Sequence, residues 1–135
     1  MHVHVLVLEN NWQRVTTHDD TLGMFDHEKL DVYRCAIELC ALLAPYANDF
    51  PRGHGALAEQ LRRASVSIPL NVAEACGKTT MTDRQRFFAI ARGSAMECAA
   101  IIDICEILGI LSPDVRQQSK QYLLRIVQML SRLCR

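Results

Sequence analysis

Residues 60–77 constrain this chain most, because they have the pattern of one helix with a proline inside it. An interior proline lacks a donor N–H and clashes with the preceding turn, which costs roughly 3 kcal/mol. Apolar residues still recur at the helical steps of three and four on both sides of Pro69. They are Leu57, Leu61, Ala64, Ile68, Val72 and Ala75. The segment is therefore predicted to be a helix that keeps its proline through tertiary support.

A polar stripe runs beside these apolar positions, again at steps of three and four. We predict a structural polar stripe of four residues: Arg63, Ser67, Asn71 and Glu74. The Glu74 carboxylate, predicted to lie near arginines, is also compatible with an acid–base site. Buried polar groups must be paired, however, so a network that holds the kinked helix in register is the better interpretation. Alanine at Asn71 or Glu74 is then expected to lower stability by about 1–3 kcal/mol.

The segment LRRASVSIPLNVAEACG resembles the signature of a family first noticed as reading frames inside 23S ribosomal RNA intervening sequences. The similarity extends to FDHEKLDVYR at residues 25–34, Phe50-Pro51, Arg86-Phe87-Phe88 with Gly93-Ser94, and residues 108–111. It covers residues 25–133. The resemblance implies a small four-helix bundle that forms ring-shaped homopentamers. A more distant similarity, to accessory proteins of reverse transcriptases in diversity-generating retroelements, implies nucleic-acid or polymerase partners.

Four helices separated by short turns predict an all-α, antiparallel up-and-down four-helix bundle. Their expected ranges are about 26–44, 55–76, 82–108 and 113–133. Pro45 is expected to break or kink the first helix near Ala44, whose predicted apolar face is Leu30, Tyr33, Ile37, Cys40 and Ala44. Thr82 and Gln85 are predicted to form a capping box for the third helix, and Gly77 and Gly109 to end helices. Ser112 followed by Pro113 is predicted to start the fourth.

The length of 135 residues predicts one domain, residues 25–135, preceded by an N-terminal extension at residues 1–24. None of the six cysteines forms a CxxC pair or has a histidine at ligand spacing, so we expect no metal site and no cofactor. Cys98 and Cys105 are predicted to be core residues. Reduced thiols without a signal peptide predict a cytoplasmic protein, and no apolar run is long enough to span a membrane.

The third helix is apolar nearly all round, which is typical of a helix that something else covers. Self-association supplies that cover most simply. We predict a homo-oligomer, with an interface seam made of Phe88, Ala95, Ala99 and Ile102. Substitutions in this seam, such as Ala99→Arg or Ile102→Glu, are expected to dissociate the assembly.

The fourth helix carries a polar seam without acidic residues. It consists of Arg116, Lys120, Gln121, Arg125, Gln128, Arg132 and Arg135. Arginine can fork onto phosphates and glutamine can reach sugar or base edges, so this seam is a candidate RNA-binding surface. The alternative is a solvated outer face with a favourable basic helix end.

The charges bear on the choice between these interpretations. The formal net charge is zero, although residues 1–49 carry about −5 and residues 50–135 about +5. No catalytic motif is found. We predict a non-enzymatic, homo-oligomeric binding protein for RNA or for a nucleic-acid-handling partner. The alternative is a structural or protein-interaction module with no nucleic-acid binding.

Overall fold

The computed structural model describes residues 25–135, which form four α-helices and, within that range, no strand. The helices are α1 (Asp31–Ala47), α2 (Gly55–Cys76), α3 (Met81–Leu108) and α4 (Pro113–Leu133), preceded by a 3-10 turn at Asp26–Lys29. Each helix contacts the next one along the chain, and α1 also contacts α4. The all-α four-helix class is therefore confirmed. The predicted N-terminal extension lies outside the described residues.

The core between the helices is built from leucine, isoleucine, valine, alanine and cysteine side chains. The largest fully buried side chains include Leu39, Leu42, Leu61, Ile68, Ile102, Leu123, Ile126 and Leu130. In α2 the predicted apolar face is confirmed, since all of its members except the half-buried Leu57 are buried. Cys98 and Cys105 are also buried as predicted.

The helix ends confirm most of the predicted boundaries. Gly109 ends α3 in the left-handed conformation at φ 68°, which glycine adopts without strain. The Ser112 hydroxyl accepts a hydrogen bond from the Val115 N–H at 3.3 Å and so caps α4. The predicted capping box is wrong, because Thr80 and not Thr82 is the cap of α3. Gln85 does not reach back to the cap, since its side-chain amide donates to the Arg135 carbonyl.

The first helix differs from the prediction in its start, its end and its buried face. The 3-10 turn precedes α1, and Pro45 lies in the last turn of α1 without breaking it at Ala44. The buried residues of α1 are Val32, Cys35, Ala36, Leu39, Leu42, Leu43 and Ala47. The predicted face is therefore turned partly outward, and Ala44 is exposed. Apart from the polar row of Asp31, Arg34 and Glu38, α1 is largely apolar, so its period alone does not choose between neighbouring apolar faces.

Pro69 is accommodated inside α2 by a contact from α1. A proline at position 69 cannot donate to the carbonyl of Ser65, four residues earlier. The Cys40 thiol donates to that carbonyl at 3.3 Å. Burial raises the pKa of Cys40 to about 11, so the thiol keeps its proton and remains a donor at neutral pH. The tertiary support that the sequence required thus includes a hydrogen bond between two helices.

Candidate functional site

An open groove of about 610 Å³ lies between α2 and α3, beside the proline-containing segment. Its lining is small and polar: Ala56, Glu59, Gln60, Arg63, Ala64, Ser67, Ser94 and Glu97. Two members of the predicted polar stripe, Arg63 and Ser67, therefore line a surface depression. The stripe residue Glu74 does not line it.

The inner part of the groove is a hydroxyl and amide network that joins α2 to α3. The hydroxyls of Ser67 and Ser94 lie 2.8 Å apart, and the Asn71 side-chain amide donates to the Ser67 hydroxyl at 2.9 Å. The same amide donates to the Ser67 carbonyl at 2.8 Å. The Ser67–Ser94 contact therefore joins α2 to α3, and Asn71 supports Ser67 from within α2.

The outer members of the polar stripe make only local ion pairs. The Arg63 side chain is 80% exposed, and its Nε lies 3.5 Å from Glu59 Oε1. The Glu74 carboxylate lies 3.1 Å from Lys78 Nζ and its side chain is 54% exposed. Neither residue joins the network of Ser67 and Asn71. The stripe is therefore two layers, one that packs the helices and one that faces solvent.

We expect alanine substitutions to separate these two layers. Asn71→Ala leaves part-buried groups of Ser67 without their amide donor and should lower the free energy of unfolding by about 1–3 kcal/mol. Glu74→Ala removes an exposed i,i+4 pair and should lower it by about 0.3–0.5 kcal/mol. Chemical denaturation of both variants measures the difference. Equal losses would mean that Glu74 belongs to the packing network after all.

The lining of the groove is mixed in charge. The Gln60 amide donates to Glu97 Oε1 at 3.1 Å across the groove from α2 to α3. Glu59 pairs with Arg62 as well as with Arg63, so the two carboxylates of the groove do not form an open acidic site. The sequence did not predict Gln60, Ser94 and Glu97 as site residues, since spacing along one helix does not show what a second helix brings to it.

The predicted interface seam on α3 lies mainly inside the chain. Phe88, Ala95 and Ile102 are buried within a single chain, and Ala99 is half-buried. These residues pack inward because α3 contacts both α2 and α4, so a wide arc of its surface faces the core. Three of the four seam residues are therefore covered by their own chain, and Ala99 alone of the four keeps part of its surface exposed.

A different face of α3 is apolar and exposed. Its large side chains are Ile90, Met96, Ile104 and Ile107, and Ile107 is 85% exposed. Exposed Ala89, Gly93 and Ala100 lie between them at helical spacing. We call these seven residues the α3 outer face. A stripe this long is unusual for a helix surface that only meets water.

The predicted RNA-binding seam of α4 is only partly free. Lys120 pairs with Asp103 of α3, and Arg116 donates to the Leu111 carbonyl at 2.6 Å. These contacts occupy Lys120 and Arg116 within the chain, so not every basic residue of the seam is available to bind phosphate. Besides the paired Lys120, five members of the seam are exposed: Gln121, Arg125, Gln128, Arg132 and Arg135.

Residues 25–135 show neither a metal-binding cluster nor a membrane-spanning helix. No group of three or more histidine, cysteine, aspartate or glutamate side chains in this range is arranged to hold a metal ion. Over the same range, no helix has both the length and the apolar character needed to cross a membrane.

The fold and the sequence together define the class of this protein as a four-helix protein with the LRRASVSIPLNVAEACG segment on its second helix. Comparison with known families gives a match between residues 28–132 and the family described as 23S rRNA-intervening sequence protein. The chain belongs to that family, which confirms the resemblance seen in the sequence. No curated protein sequence matches the chain.

Proposed function

We propose that this protein is a non-enzymatic, homo-oligomeric binding protein. The single observation that supports this proposal is the α3 outer face, which leaves large apolar side chains such as Ile107 in water in an isolated chain. Burying apolar area stabilises association by roughly 25 cal/mol per Å², so a second protein surface is the natural cover. The ring-shaped homopentamer is the assembly that the family resemblance implies.

The proposal includes an antiparallel, up-and-down order of the helices. It is supported by the contacts of each helix with the next and of α1 with α4, because short turns favour antiparallel neighbours. It also includes a cytoplasmic location. The six cysteines are free, which suits a reducing compartment.

Sedimentation of the full 135-residue protein at micromolar concentration tests the self-association. We expect a species of several chains in physiological salt, because the apolar α3 outer face loses little to screening. A stable species of 15.3 kDa, the mass of one chain, would overturn the proposal.

RNA binding is the second candidate function, and the exposed acid-free part of the α4 seam favours it. Arg125 and Arg132 are both exposed and have no acidic neighbour on α4 after Asp114. We expect modest affinity for structured RNA with a steep salt dependence, and loss of binding in Arg125→Glu with Arg132→Glu. An anisotropy titration at low and physiological salt measures both. Absence of binding at low salt would leave the protein-interaction function.

A further inference from the structure

We propose that the partner of the α3 outer face is α4 of a second copy of this chain, in a head-to-tail contact. The inference rests on the proposed self-association and adds which two surfaces meet. It also assigns the exposed residues of α4 to a protein contact, in place of RNA.

The receiving surface is apolar along its centre and acidic along the edges of its C-terminal half. The α3 outer face spans residues 89–107, about 27 Å at the rise of an α-helix. Between Gly93 and Leu108 its charged neighbours are Glu97, Asp103 and Glu106, of which Asp103 is already paired with Lys120 of the same chain. The basic residues of α3, among them Arg86 and Arg92, lie only toward the start of the helix. The C-terminal half of this face therefore favours an apolar helix with basic flanks.

The outer face of α4 has that character. Leu124 is 60% exposed and is the large apolar side chain that α4 presents to solvent. Gln117, Gln121 and Gln128 recur around it at steps of four and three, so they share one side of the helix with Leu124. Arg125 and Arg132 flank this row, and both are exposed. The face offers one apolar anchor, amides for hydrogen bonding and, after Asp114 in the first turn, positive charge only.

Complementary charge favours α3 against α4 over two identical faces packed in parallel. Two parallel α3 outer faces would bring together their acidic C-terminal halves, which carry Glu97, Asp103 and Glu106. Two α4 faces would oppose arginine with arginine, and like charges across an interface are unfavourable. Pairing α3 with α4 places acids opposite arginines and Leu124 against the apolar stripe.

Such a contact is heterologous, because the two surfaces are different parts of the same chain. Each copy then offers one α3 outer face and one α4 face, so a pair of copies retains one free surface of each kind. Association continues until a ring closes. Each surface can be blocked separately in the full-length protein, which provides the test.

The experiment uses two blocking variants and their mixture. Ala100→Arg places a long charged side chain on the α3 outer face, and Leu124→Glu places an acid on α4. Each variant alone is expected to sediment as a single chain with wild-type circular dichroism. In an equimolar mixture, the intact α4 of one variant meets the intact α3 of the other, so a two-chain complex should form and grow no further. Ala44→Arg, at an exposed alanine on α1, is the matched control and should assemble like wild type.

The outcomes distinguish this inference from the proposed function. If wild type is monomeric, the self-association itself fails. If wild type assembles and Leu124→Glu assembles equally well, α4 is not in the contact and the inference is overturned. The same holds if both variants are monomeric and their mixture stays monomeric. If wild type assembles, Leu124→Glu also assembles, and Arg125→Glu with Arg132→Glu loses only RNA binding, the α4 surface serves RNA.

Discussion

Ile102→Glu is expected to unfold this protein, and Ile107→Glu is expected to leave it folded. The two residues lie five positions apart on α3, and the side chain of Ile102 is 1% exposed whereas that of Ile107 is 85% exposed. A carboxylate at position 102 would lie in the core among apolar groups. Losing the isoleucine alone costs about 2–5 kcal/mol, and burying an unpaired charge adds several more. That sum is comparable to the whole stability of a small domain, about 5–15 kcal/mol.

Far-UV circular dichroism and thermal melting of the two variants measure this difference. Ile107→Glu should keep its helical signal and a cooperative transition in either assembly state. Ile102→Ala is a useful intermediate, because it removes the buried side chain without adding charge and should fold with a lowered melting temperature. A folded Ile102→Glu protein that has lost only its self-association would restore the seam that the sequence suggested.

The two predictions for α3 show what the sequence does and does not determine. Its period correctly indicates that α3 is apolar over an unusually wide arc and needs cover. It does not indicate which part of the arc the chain covers itself. Phe88 and Ala95 lie inward because α3 packs against two neighbouring helices, whereas Met96 and Ile104 lie outward. That assignment depends on how the helix is rotated in the bundle, which tertiary packing decides.

Helix boundaries were more predictable than contacts between helices. The range of α2 is Gly55–Cys76, as predicted, because the apolar period and the glycine that follows it are local signals. The α2–α3 groove was not predictable. Ser67 and Ser94 are 27 positions apart, and their contact depends on the register of two helices. The predicted stripe along α2 includes Ser67 and Asn71 of this polar network but not Ser94, which lies on α3.

The hydrogen bond from Cys40 to the Ser65 carbonyl was partly predictable: the sequence shows that a donor is needed but not which residue supplies it. A proline inside a helix indicates that the carbonyl four residues earlier lacks its usual backbone N–H donor. Nothing in the sequence tells which group supplies a new one. A cysteine is an unobvious choice, because a thiol is a weak donor and a buried cysteine usually acts as a small apolar residue. The geometry shows that Cys40 has both roles.

We expect the free energy of unfolding to depend on Cys40 and Pro69 together. Cys40→Ala leaves the Ser65 carbonyl without a donor, which costs about 1–3 kcal/mol. In Pro69→Ala, residue 69 regains its N–H and supplies the missing helical hydrogen bond itself. Cys40→Ala should then cost about 1 kcal/mol less than in wild type, a coupling within the range for contacting residues. Cys105→Ala removes another buried thiol from α3 and should cost the same in both backgrounds.

The pH dependence of wild type and Cys40→Ala measures the burial of the Cys40 thiol. Burial raises the pKa of Cys40 from 9.0 to about 11. Below pH 9 the thiol is protonated in the folded and unfolded chains, and its hydrogen bond contributes fully. Between pH 9 and about 11 the unfolded chain loses the proton while the folded chain keeps it, so unfolding is favoured and the contribution falls. Wild type should therefore lose more stability over this interval than Cys40→Ala. Equal losses in parallel urea titrations would mean that the folded chain does not keep the thiol protonated, and zero coupling to Pro69 would mean that the Ser65 carbonyl does not depend on this thiol.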